Sequence, residues 1–219
     1  MNHAVNNAFF FQLFRIFITF RITSCDDIEF FHTNPLYNRV MRENLEIETK
    51  VMISKQIYHH LCATCEFETT MSHYNHYYQA ATQPSDVALR IRRNGSSFLF
   101  TLKKKEGNYH REYEVELPND DINHPLLQPI YEQFNIVGPF TSLGHSSTVR
   151  SVLHIKSGEI CVDHSIFDWG DDFEIEFEAI DQDPNHEKEF MRWLRFHHVV
   201  YTPSVQSKMQ RALNPPVYK

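Results

Sequence analysis

The sequence predicts an α+β fold: an eight-stranded antiparallel β-barrel with helices packed outside it. Three observations lead there. Segments that alternate apolar with polar residues follow one another in quick succession from Leu45 onward, with helical stretches only between groups of them, so strands come in runs instead of alternating strictly with helices. Large β-favouring side chains are plentiful, with 18 Phe and 10 Tyr in 219 residues. Asn94-Gly95 lies between two alternating runs and is a strong hairpin signal. Runs of antiparallel strands remove their edges by closing, which makes a closed or nearly closed barrel the natural architecture.

Length and charge narrow the classes. A chain of 219 residues holds one full domain with a sizeable core, and any second domain would be small. Net charge is −7, which gives no sequence-wide support for nucleic-acid binding, so a basic site has to be a local concentration. The cysteines, Cys25, Cys62, Cys65 and Cys161, do not form the framework of a small secreted disulfide scaffold, and a reducing cytoplasm fits them best. Cys62-Ala63-Thr64-Cys65 has His59 and His60 just before it, but no second C-x-x-C exists and the pair lies in an amphipathic helical stretch. A packing role is therefore favoured over a metal or redox role.

Residues 1–40 read as a Phe-rich N-terminal extension. Phe9-Phe10-Phe11, Phe14, Phe17 and Phe20 crowd a run that Arg15 and Arg21 interrupt, too short and charged for a membrane span. An interfacial anchor is the sharper alternative for it, and the only reason to expect a membrane contact. Met41 opens the domain expected over 41–219.

The first strand is Leu45–Val51, where Glu46, Glu48 and Lys50 project from one face and Leu45, Ile47, Thr49 and Val51 from the other. Ser54 then caps a helix whose apolar stripe is Ile57, Tyr58, Leu61, Cys62 and Cys65. Strands follow at Tyr74–Gln79, Val87–Arg92, Phe98–Lys105 and Tyr109–Leu117, which Pro118 ends. A helix is expected over Leu126–Phe134, then strands at Thr148–Ile155, Glu159–His164 and Phe173–Ile180, with Ser157-Gly158 turning the first pair. Asp183-Pro184 opens a helix running to about His198, and Thr202-Pro203 repeats that device for a last helix stopped by Asn214-Pro215-Pro216.

Acids and bases segregate by strand. Arg90 and Arg92 share a face, as do Thr101, Lys103 and Lys105; Glu112, Glu114 and Glu116 share another, and Glu174, Glu176 and Glu178 a fourth. Two carboxylates ~6.5–7 Å apart on one strand face repel unless a cation sits near them. Such faces either point to solvent around an apolar barrel interior, or point inward and line a charged tunnel whose apolar outside the helices cover. A barrel of about eight strands is wide enough for one small ligand. Converging Lys and Arg suit the oxygens of a polyanion, clustered Glu suits a hard cation such as Mg²⁺ or Mn²⁺, and a metal-chelated polyphosphate satisfies both. With 6 Gly and no Walker-type loop, phosphate would be held by side chains.

Taken in order, these residues resemble the CYTH family, the triphosphate tunnel metalloenzymes. The E-x-E-x-K signature is Glu46-Ile47-Glu48-Thr49-Lys50; Leu89-Arg90-Ile91-Arg92, Thr101-Leu102-Lys103, Glu112-Tyr113-Glu114, Thr148-Val149-Arg150, Glu174-Ile175-Glu176-Phe177 and Lys208 follow. The resemblance implies an eight-stranded tunnel with a charged interior. It implies Mg²⁺ or Mn²⁺ held by Glu46, Glu48 and Glu176, with Glu174 an added metal ligand, and Glu112 and Glu114 available to a second metal or to the attacking water. Lys50, Arg90, Arg92, Lys103, Arg150 and Lys208 would bind phosphates, Lys50 also acting in catalysis beside Glu112 and Glu114. Two departures stand out: His110 occupies a position where the family often has Arg, and Tyr77-Tyr78-Gln79-Ala80 lacks the carboxylate of the frequent Tyr-Phe-Asp-Thr.

The expected activity is metal-dependent hydrolysis of a small triphosphate compound in the cytoplasm, inorganic triphosphate favoured, by in-line attack of water. An adenylate cyclase of class IV type, a thiamine triphosphatase, and a polyphosphate- or nucleotide-binding module without turnover are the alternatives. Nucleic acid is not an expected partner.

Overall fold

The structure is a computed structural model that describes residues 41–214. The extension and anchor expected over 1–40, and the proline stop at Pro215-Pro216, lie outside the described residues.

Ten strands form one antiparallel sheet. They are β1 (Met41–Glu46), β2 (Glu48–Ile53), β3 (Thr69–Thr82), β4 (Val87–Asn94), β5 (Ser97–Glu106), β6 (Tyr109–Leu117), β7 (Val137–Ile155), β8 (Gly158–Phe167), β9 (Gly170–Ala179) and β10 (Tyr201–Pro203). The order across the sheet is β1-β6-β5-β4-β3-β7-β8-β9-β2-β10. The expected closed eight-stranded barrel is therefore corrected to an open ten-stranded ladder. The reason lies at Ile47, where the single strand expected over Leu45–Val51 splits: β1 pairs with β6 at one end of the sheet and β2 pairs with β9 near the other. Ile47 leaves both ladders, and its carbonyl accepts a hydrogen bond from the Ala179 amide at 2.8 Å. One residue of chain thus ties together two regions that are far apart in strand order.

The central strands are longer than alternation alone suggested. β3 has 14 residues and β7 has 19, and their pairing shifts register between Tyr77 and Tyr78 and again between Ala80 and Thr82. A bulge adds a residue to one strand and bends it, which hides the period of two from a reading of the sequence. The Asn94-Gly95 hairpin is present, with Asn94 paired to Ser97 and Gly95 taking φ 60°. The turn expected at Ser157-Gly158 sits one residue earlier, since Ile155 pairs with Gly158.

Among the described residues there are four α-helices: α1 (Lys55–Thr64), α2 (Gln128–Gln133), α3 (Asn185–Phe196) and α4 (Lys208–Leu213). Ser54 caps α1 as expected, its hydroxyl accepting from the Ile57 amide. A 3-10 turn at Pro125–Leu127 leads into α2. α3 begins just after Pro184, with the Asp183 carboxylate accepting from the Asn185 amide at 2.9 Å. The last helix does not start at Thr202-Pro203. Those residues form edge strand β10 on β2, where Pro costs little because an edge strand has spare donors, and Ser207 caps α4 instead.

Both faces of the sheet are occupied, and the two arrangements left open by the sequence are thereby decided. Leu89, Ile91, Phe100, Leu102 and Val115 pack on one side with Leu127, Ile130 and Tyr131 of the α2 region. Val51, Ile160, Val162, Ile175 and Phe177 pack with Leu61 of α1 and with Phe190 and Leu194 of α3. The alternate residues on the same strands are polar and turn to the opposite face, where Asn75, Thr101, Ser146, Thr148, Arg150, Asp163, Glu174 and Glu176 are buried. Apolar faces lie under the helices, and charged faces point inward.

Candidate functional site

Strand register assembles the inward face pair by pair. Lys50 of β2 stands opposite Glu176 of β9, Lys103 of β5 opposite Glu112 of β6, and Arg150 of β7 opposite Asp163 of β8. Each basic side chain therefore meets a carboxylate from its neighbouring strand.

At the junction of β1 and β2, Glu46 and Glu48 share one ammonium. Lys103 Nζ lies 3.1 Å from Glu48 Oε1 and 3.6 Å from Glu112 Oε1, and it also pairs with Glu46. Lys50 Nζ bridges onward, 2.9 Å from Glu48 Oε2 and 3.0 Å from Glu176 Oε1. Burial pushes the Glu46 carboxyl up to about 8, overriding Lys103. For Glu48 burial acts in the same direction, but Lys50 and Lys103 together prevail and hold it down at about 2. Two glutamates two positions apart on the chain are thus pushed in opposite directions. Burial also raises Glu114, with Glu112 adding repulsion against the pull of Arg90 and Arg92. His110 reaches the same corner, its Nδ1 3.6 Å from Glu48 Oε1.

Where β7 and α4 face β8 and β9, Arg150, Lys208 and Arg211 are all paired. Arg150 grips Asp163 with two bonds, Nε to Oδ1 at 2.9 Å and a terminal nitrogen to Oδ2 at 2.7 Å, and reaches Glu176 as well. Lys208 Nζ stands 2.8 Å from Asp163 Oδ2 and 2.8 Å from Glu176 Oε1, with Glu174 completing the ring. Arg211, one turn further along α4, pairs with Asp172 at 2.7 Å and Glu174 at 2.9 Å. Burial would raise Glu176, yet Lys208, Lys50 and Arg150 hold it well below the usual carboxylate range.

The wall made by β3 and β4 is different. Arg90 donates to the Thr101 hydroxyl at 3.0 Å, and Arg92 to the Asn75 side-chain oxygen at 2.9 Å. Among the described residues neither guanidinium forms an ion pair with a carboxylate. Burial, then the like charges of Arg90 and Arg150, bring Arg92 down to about 10. His73 lies in this wall, 5% exposed, and burial with the nearby Arg92 and Arg150 lowers it to about 3.

Among the described residues three groups of side chains offer ligand atoms within 4.8 Å of one another in the way a metal needs: Glu46, Glu48 and His110; Asp163, Glu174 and Glu176; and Glu159, Cys161 and Glu178. The first two already surround a cation, Lys103 in one and Lys208 in the other. Oxygen-rich sets that gather around an ammonium suit a divalent ion. The four expected metal ligands are thereby divided between the groups, Glu46 and Glu48 in one and Glu174 and Glu176 in the other, with Lys50 between them. Lys50, Lys103, Arg150, Lys208, Glu112, Arg90 and Arg92 all face the same interior; Lys105 and Glu116 of the expected faces are exposed.

Sequence reasoning missed Asp163, Asp172, Arg211, His73 and Asn75. Asp163 had a signal, since Cys161, Asp163 and Ser165 alternate with Ile160, Val162 and His164 and all three are buried. Arg211 had one too, three residues after Lys208 on one helical face. The C-x-x-C is unbonded: Cys62, Cys65 and Cys161 are free, and Cys62 and Cys65 lie at the C-terminal end of α1.

Among known families, the CYTH domain matches residues 44–213. A Bacillus subtilis (strain 168) protein named "Putative triphosphatase YjbK" is 28% identical over 153 residues, which cover 64% of this chain and 80% of that one. A solved structure of a protein described as a "putative adenylate cyclase", bh2851 from Bacillus halodurans, superposes with a TM-score of 0.67 at 24% identity, covering 77% of this chain and 97% of that one. HpAC1 from Hippeastrum, a "putative adenylyl cyclase" described as having a dominant triphosphatase activity, gives 0.65 at 18% identity and covers 80% and 97%. At such identities the two structures speak for the fold. Among the described residues no helix is long and apolar enough to cross a membrane.

Proposed function

The chain belongs to the CYTH family, and from that premise we propose that it hydrolyses a triphosphate compound in a metal-dependent reaction, inorganic triphosphate being the favoured substrate. The observation that supports this reading is the pair of inward guanidinium groups, Arg90 and Arg92, whose partners are neutral oxygens while carboxylate groups fit for a metal stand on other strands of the same interior. Like charges held together in the interior with no carboxylate in contact call for an anion, and carboxylates that surround ammonium groups call for a cation. A metal-bound triphosphate brings both.

Glu46 and Glu48, with Glu174 and Glu176, would hold Mg²⁺ or Mn²⁺, which supplies charge neutralisation at the phosphate oxygens. Arg90 and Arg92 bind the outer phosphate oxygens, with Lys50, Lys103, Arg150 and Lys208 releasing part of their hold on carboxylates to do the same. A water oxygen then forms a bond to the terminal phosphorus as the bridging P–O bond breaks, giving phosphate and diphosphate. Glu114 and Glu112 are the candidates to orient that water and take its proton; burial makes Glu114 the better base.

The test is phosphate release from inorganic triphosphate, ATP and thiamine triphosphate, each with Mg²⁺, Mn²⁺ or excess chelator, with cyclic AMP assayed in the ATP reactions. Metal-dependent release, fastest from inorganic triphosphate, is expected, and Glu48→Gln or Lys103→Ala should lower it by on the order of 10²–10³. Cyclic AMP without matching phosphate moves the assignment to a cyclase, and tight metal-dependent triphosphate binding without turnover moves it to a binding module. Near-normal turnover of either variant would sink the residue assignment.

A further inference from the structure

We infer that His110 is a nitrogen ligand to the cation held by Glu46 and Glu48, and that this mixed nitrogen–oxygen group selects a transition-series divalent ion, Mn²⁺ or Co²⁺, over Mg²⁺. The inference rests on the metal-dependent reading above and adds to it the identity of a ligand and of the ion. β1 and β6 pair so that His110 stands directly opposite Glu46. Its Nδ1 lies 3.6 Å from Glu48 Oε1, and that buried nitrogen makes no hydrogen bond.

A ring nitrogen and a carboxylate oxygen that face each other need a proton or a cation between them. At 3.6 Å the separation is too long for the proton of a hydrogen bond. It is close to the separation of about 3–3.4 Å between neighbouring ligands on a metal with bonds of ~2.1 Å. Lys103 supplies the positive charge at this corner now, but an ammonium has only donors and cannot use an imidazole lone pair as a metal ion can. The other carboxylate group, Asp163, Glu174 and Glu176, has oxygen ligands alone. Mg²⁺ prefers oxygen and gives up its waters reluctantly, whereas imidazole suits transition-series ions. The two groups that surround an ammonium are therefore chemically unlike cation positions, and His110 is what distinguishes them.

The experiment reads ligation and not turnover: Mn²⁺ is titrated into the substrate-free full-length protein by electron paramagnetic resonance, and bound Mn²⁺ is examined for coupling to ¹⁴N. Wild type should show nitrogen coupling, and His110→Gln and His110→Ala should both lose it. Mn²⁺ affinity should fall at least tenfold, roughly the loss that disturbing a ligand's support already causes, while Mg²⁺ affinity measured by competition stays unchanged. Bound Mn²⁺ without nitrogen coupling in wild type, or with the same coupling in a folded variant, overturns the inference. Absence of Mn²⁺ binding together with absence of metal-dependent phosphate release would remove the underlying functional reading as well, whereas Mn²⁺-dependent release without nitrogen coupling removes only the role of His110.

Discussion

Two walls of the interior hold their cations in opposite ways. On β7, β8, β9 and α4, Arg150, Lys208 and Arg211 are each tied to two or more carboxylates. On β4, Arg90 and Arg92 have a hydroxyl and an amide oxygen. The first wall meets each of its cations with carboxylates. The second keeps a cost of burial and repulsion that shows in the lowered Arg92, and a protein that tolerates such a cost is positioned to recover it when an anion binds.

The comparison breaks most sharply at Arg211, which is 1% exposed. Arg211→Ala strands Asp172 and Glu174 in a buried setting and should cost about 3–5 kcal/mol in urea unfolding, the usual penalty for removing one partner of a buried pair. Arg92→Gln should do the reverse: unfolding free energy stays the same or rises, because a repulsive charge is gone, while phosphate release from triphosphate drops on the order of 10²–10³. A destabilised Arg92→Gln would place β4 in the same class as α4, and the distinction between the walls would fall.

That distinction could be read only in part from the sequence. The alternation of Glu46/Glu48/Lys50, Arg90/Arg92 and Glu174/Glu176 revealed which residues share a face, because strand geometry fixes it. Alternation carries no information on which strand lies beside which. The pairing of Arg150 with Asp163 depends on the register of β7 with β8, and the neutral partner of Arg92 comes from β3, where a bulge beyond Tyr77 blurs the period. Nor does periodicity reveal the break at Ile47, which is set by two ladders at opposite ends of the sheet. Sequence thus identified the charges; only long-range pairing separated those that are balanced from those that are not.

A smaller effect comes from His73, which shares the unbalanced wall. Its folded value of about 3 lies below the ordinary 6.5, so the folded state resists protonation that the unfolded chain accepts. Its contribution to stability is complete above about pH 6.5, declines as pH falls below that, and is lost by about pH 3. Between pH 7.5 and 5 this amounts to about 2 kcal/mol. Unfolding midpoints of wild type and His73→Gln across that range should diverge accordingly, the variant being flatter; parallel curves would mean that the Arg92 side of the chamber does not exclude a proton.

The smallest test addresses how the balanced wall is assembled. α4 is six residues long, too short to be stable alone, yet it delivers both Lys208 and Arg211. Two devices fix its ends: the Ser207 hydroxyl accepts from the Gln210 amide at 3.2 Å while the Gln210 side chain accepts from the Ser207 amide at 2.8 Å, and the Trp169 ring nitrogen donates to the Arg211 carbonyl at 2.7 Å. Ser207→Ala should cost about 1 kcal/mol, the usual value of an N-cap, and Ser207→Asn should restore most of it because Asn caps as well as Ser. The loss should remain well below that of Arg211→Ala, since the cap only starts the helix and the buried ion pairs hold it against β9. A Ser207→Ala variant as unstable as Arg211→Ala would show that the helix turn itself, and not charge pairing, keeps this wall together.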